Sequence, residues 1–113
     1  MQTHWLVQTN AKSVNNAQVL LNQLARLIDA APDAVVIQGE RYGGHQIAFT
    51  LDTGALSRAD GLYHLLLQSE RLANSWTLCA VSAPAHAWSL RSRIAGIQRL
   101  EWREGLPSPA DQP

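Results

Sequence analysis

A single cysteine, Cys79, rules out an internal disulfide and a thiolate metal site. Lysine is equally scarce, with Lys12 alone beside eight arginines. Neither charge is in surplus: nine basic residues balance nine acidic ones, which argues against a protein built to neutralise phosphates. No apolar run approaches the roughly 18 residues of a membrane span. A basic leader is missing as well. Met1 runs directly into Gln2-Thr3-His4-Trp5-Leu6-Val7, so the chain is expected to start at Met1, without a secretory signal, and to stay in the cytoplasm.

What is present is a globular composition, 113 residues of which 46% are hydrophobic, enough for one domain with its own core. Three of the five prolines fall after Gly105, so residues 1–104 are expected to form a single α+β domain and 105–113 a flexible tail.

Gln2 to Thr9 reads as a strand with Trp5 and Val7 on its buried face. Ala17, Leu20, Leu21, Leu24, Leu27, Ile28 and Ala31 then recur at helical steps, with Ser13 as N-cap and Pro32 stopping the helix at Ala31. Ala34 to Gln38 and Gln46 to Asp52 form a hairpin around Tyr42-Gly43-Gly44. A two-residue Gly-Gly loop would set Ile47, Phe49 and Leu51 against Glu40, Gln38 and Val36. A three-residue loop sets them against Gly39, Ile37 and Val35, which keeps the face apolar and puts Gly44 at a left-handed position. Ser57 and Asp60 have capping-box spacing before the stripe Leu62, Leu65, Leu66, Ser69, Leu72 and Ala73, with Asn74 suited to the left-handed C-terminal position.

Trp76 to Val81 is apolar on both faces and is expected centrally in the sheet, with Cys79 inert in the interior. Beyond Pro84, Trp88, Leu90 and Ile94 alternate with Ser89, Arg91 and Arg93, though His86 to Ala95 fits a helical turn as well. Gln98 to Arg103 sets Leu100 and Trp102 against Arg99, Glu101 and Arg103. The order predicts a ferredoxin-like β-α-β-β-α-β antiparallel sheet, two helices on one face, plus one or two extra C-terminal strands.

Catalytic and cofactor signals are weak. His4, His45, His64 and His86 match no local ligand spacing, so no metal is expected. The serines lie in no nucleophile elbow, and Glu101 and Glu104 point to opposite strand faces. Gly43-Gly44 precedes a strand rather than a helix, unlike a phosphate loop. An RNA-recognition domain would show stacking aromatics on its first and third strands with basic residues beside them, whereas Phe49 is alone on a face assigned to the core. No catalytic residue, cofactor, nucleic acid or membrane partner is predicted.

The remaining signal is the crowding of Trp88, Arg91, Arg93, Arg99, Trp102 and Arg103 into sixteen residues. Trp and Arg are enriched at protein interface hot spots, so these six are the predicted partner-binding residues. In architecture, Gln2 to Arg103 resembles the small bacterial immunity proteins of contact-dependent and polymorphic toxin systems. That resemblance implies a non-catalytic inhibitor that binds and neutralises a cognate toxin domain. The alternative is a homodimer with a small-molecule cleft near Trp5, His45, Trp76 and Trp88, acting as a small enzyme or sensor.

Overall fold

Alternation assigns each strand residue to one side of the sheet or the other. In the computed structural model, which describes residues 1–41, 43–54, 57–80, 82 and 84–105, strand β1 (Gln2–Thr9) buries Thr3, Trp5, Val7 and Thr9 and turns His4, Leu6 and Gln8 to the opposite side. Helix α1 (Val14–Ile28) begins where the Ser13 hydroxyl accepts from the Asn16 N–H, and it buries Ala17, Leu21, Leu24 and Ile28. It ends at Ile28, not Ala31. Asp29 takes a left-handed conformation and its N–H caps the carbonyls of Ala25 and Arg26, closing the helix before Pro32 restricts the chain.

Strands β2 (Asp33–Gly39) and β3 (His45–Asp52) pair with Ile37 opposite Ile47. The apolar residues share a face as expected, but Gly39 pairs with His45, so the loop holds five residues instead of three. The physical reason is that the loop satisfies itself: the Glu40 N–H bonds the Gly44 carbonyl and the Gly43 N–H bonds the Glu40 carbonyl. Because the register moves by two, every side chain stays on its predicted side. Tyr42 lies outside the described residues. Gly44 is left-handed, with φ of 82°.

Helix α2 (Arg58–Leu72) is capped by the Ser57 hydroxyl, which accepts from the Asp60 N–H. Leu65, Ser69 and Leu72 are buried, whereas Leu66 is exposed. Asn74 is not the left-handed residue: Ala73 and Asn74 form β4 (Ala73–Asn74), and Ser75 makes the left-handed turn.

After that turn come β5 (Thr77–Ala80), β6 (His86–Ser89), β7 (Arg91–Ser92) and β8 (Ile97–Glu104). Among the described residues, His86 to Ala95 holds two short strands and no helix. The main sheet is antiparallel, six strands in the order β2-β3-β1-β8-β6-β5, while β4 and β7 form a separate pair. β5, which falls in the stretch expected to be central, is therefore an edge strand, and Cys79 is exposed. Val81, the expected end of that strand, lies outside the described residues. The place beside β1 goes to β8, which pairs along almost the whole of β1 and brings Leu100 and Trp102 against it. With these strands, the sheet outgrows a six-element β-α-β-β-α-β plan. The predicted tail is described only at Gly105; residues 106–113 lie outside the described set.

The buried faces of both helices join Trp5, Val7, Ile47, Phe49, Leu100 and Trp102 in one core on one side of the sheet. Two indole N–H groups donate to Ser69, Trp102 to its hydroxyl at 2.9 Å and Trp76 to its carbonyl at 2.8 Å, tying α2 to β8 and to the turn before β5. A second tie lies at the start of α2. Glu104, 9% exposed, accepts two contacts from Arg58 at 2.9 Å and one from the Ala85 N–H at 2.9 Å.

Candidate functional site

With both helices gathered on one side, none of the described residues forms a helix over the other side of the sheet, its open face. Strand pairing arranges its residues in transverse rows. His86 pairs with Arg103, which pairs with His4, which pairs with Thr50. The next row runs Trp88, Glu101, Leu6, Ala48 and Val36; the third runs Arg99, Gln8, Gln46 and Gln38.

Glu101 is the hub of the charged half. Its carboxylate accepts from Arg99 Nη1 at 2.8 Å, lies 3.9 Å from Arg103 Nη2 and 3.6 Å from His86 Nε2. Only the Arg99 contact is within hydrogen-bonding distance. His86 Nε2 is shielded from water with no hydrogen-bond partner, although the ring as a whole is 27% exposed. The Arg99 guanidinium also lies over the Trp88 ring, 5.5 Å from its centroid, a cation–π geometry. Arg99 is thus held by both a carboxylate and an indole. Arg103, by contrast, has 60% of its side chain exposed and stands off from Glu101.

Beside this cluster lies a shallow depression of about 540 Å³, lined by His4, Leu6, Ala48, Thr50, Glu101 and Arg103. Ala34 closes one end from β2, where the strand bulges and Ala34 takes a left-handed φ of 51°. The floor is aliphatic and the charged groups stand on one side. Two arginines against one glutamate leave this cluster net positive, although the chain as a whole is neutral.

The six predicted partner-binding residues fall into three places. Trp88, Arg99 and Arg103 come together on the open face. Arg91 and Arg93 lie elsewhere, Arg91 opposite Asn74 in the small β4-β7 pair and Arg93 bonded through Nε to the Glu70 carbonyl at 3.0 Å. Trp102 is fully buried on the helix side and serves the core rather than an exposed contact. Trp88 departs from its predicted pattern in the other direction. Ala87 and Ser89 are the buried residues of β6, and Trp88 faces outward.

Sequence reasoning missed His4, Leu6, Ala48 and the central role of Glu101. The period of β8 already placed Arg99, Glu101 and Arg103 on one side, but the neighbour of β8 was not legible. His86 is the first residue of β6. The remaining histidines are dispersed: His45 Nδ1 meets the Ala11 carbonyl at 2.7 Å and His64 is exposed on α2. Among the described residues, no group of three or more His, Cys, Asp or Glu could hold a metal, and no helix is long and apolar enough to cross a membrane.

The chain matches no family model, no curated protein and no solved structure.

Proposed function

We propose that this chain is a non-catalytic protein-binding module, an immunity or antitoxin-type inhibitor that seats a cognate bacterial toxin domain on the open face of its sheet. The observation that carries the reading is the Trp88-Arg99-Glu101-Arg103 cluster beside an aliphatic depression. An aromatic and arginine anchor next to apolar surface is the composition of an interface hot spot. An inhibitor of this kind would act in the cytoplasm. Its fold is then an elaborated ferredoxin-like plan in which the C-terminal strands β6 and β8 build half of the binding face.

Co-expression with the product of the adjacent reading frame tests this, with growth rescue and co-purification as readouts. The natural chain is expected to rescue growth. Trp88→Ala combined with Arg103→Glu is expected to keep the fold and weaken the complex about tenfold or more, since an unfavourable charge and a lost anchor act together. Arg91→Glu with Arg93→Glu, on the other surface, is expected to leave rescue intact. Full rescue by the first pair and loss with the second would reject the open face as the binding surface.

The depression also favours a second reading, a small-molecule cleft in a homodimer, because its floor of Leu6 and Ala48 lies next to His4 and Arg103. Saturable binding of a small anionic ligand without any rescue would favour it.

A further inference from the structure

The two edges of the main sheet differ. β5 is four residues long. β2 is seven, and from Ala34 to Gly39 it carries no charge and no proline. Val35 is 39% exposed and Val36 50% exposed. Natural edge strands are guarded by shortness, lysine, proline or bulges. Here a bulge between Asp33 and Val36 guards the start of the strand, and among the described residues nothing pairs with the outer side of its main chain from Val36 to Gly39.

We infer that β2 pairs antiparallel with β2 of a second copy of this chain about a two-fold axis at Val36. A two-fold pairing is isologous, so the strand must complement itself. Centred on Val36, it does. Val36 meets Val36 of the second copy on the open-face side, and Val35 meets Ile37 on the helix side, twice over. These cross-strand apolar pairs are the stabilising unit of a sheet. The register shift between Asp33 and Val36 takes Asp33 out of the two-fold ladder, so no like charges oppose one another in it. A parallel pairing would instead bring the two Asp33 side chains together. Charge and apolar pattern thus select the same antiparallel arrangement.

The pairing doubles the six-stranded sheet and extends the row Trp88-Glu101-Leu6-Ala48-Val36 into the second copy. It brings Gln38 of the second copy opposite Ala34, at the end of the depression. The two open faces then form one continuous surface, which leaves the toxin-binding reading independent of whether the dimer forms.

Sedimentation equilibrium of the full chain from low micromolar to millimolar concentration, with amide exchange at both extremes, tests the inference. The expected result is a reversible dimer whose β2 amides gain protection with concentration. Val36→Lys is expected to raise the dissociation constant about tenfold or more while far-ultraviolet dichroism stays unchanged. Val36→Thr, which keeps the β-branched shape without charge, is expected to retain dimerisation. A chain that stays monomeric at millimolar concentration overturns the pairing. So does a dimer that is insensitive to Val36→Lys or gains protection outside β2.

Discussion

Gly44 has no room for a side chain. A Cβ built there would fall on the Thr9 carbonyl oxygen, and its φ of 82° is already one that L-residues avoid. Gly43 shares the second constraint, with φ of 101°, but has open space around it. The pair therefore separates backbone strain from collision. Gly43→Ala should cost about 1 kcal/mol, the cost of left-handed backbone. Gly44→Ala should cost more, above about 2 kcal/mol, because the hairpin must lift off β1. Urea denaturation of both variants checks this, and equal small losses would show that the hairpin does not rest on Thr9. The need for a glycine here was legible in the sequence, since a hairpin between apolar strands demands positive φ. The collision was not, because Thr9 is thirty-five positions earlier and only the strand order brings it near.

Elements were legible where their own periodicity set them and illegible where a distant partner did. The stripe of α1 located Leu21, Leu24 and Ile28 in the core, and both serine caps lie where their spacing put them. Leu66 fits the α2 stripe on paper yet is exposed, because the sheet beneath α2 accepts the narrower line through Leu65, Ser69 and Leu72. The central position expected for the strand from Trp76 failed for a related reason. An apolar composition does not say which neighbour a strand takes, and the longer β8 occupies the place beside β1.

The attachment of α2 to β8 also makes the fold sensitive to acid. Hydrogen bonding from Arg58, supported by the Ala85 N–H and opposed by burial, holds the Glu104 carboxyl below its ordinary value of 4.5. A group with a depressed folded-state pKa contributes stability that is present above its unfolded value and lost as pH falls through the folded one. Glu104→Gln should therefore destabilise by about 1–3 kcal/mol at neutral pH. The difference from the natural chain should shrink as pH drops below 4.5. Thermal melts across that range check it, and a difference independent of pH would mean that the charge is not what holds α2 there.

For the whole molecule, the decisive property is that, among the described residues, both helices cover one side of the sheet and none covers the other. Sequence supplied the inward residues of β1, β3 and β8, and with them the outward ones, but not the rows they form across five strands. The four tryptophans report the two sides separately. Trp5 and Trp102 are buried in the core, Trp76 is bonded to Ser69, and Trp88 alone stands on the open face under Arg99. The indole N–H resonances of the nitrogen-15-labelled chain, followed as the product of the adjacent reading frame is added, therefore read the binding face directly. The account predicts that the Trp88 signal shifts or broadens at stoichiometric complex while those of Trp5 and Trp102 hold their positions. A stable complex that leaves Trp88 unmoved would contradict it.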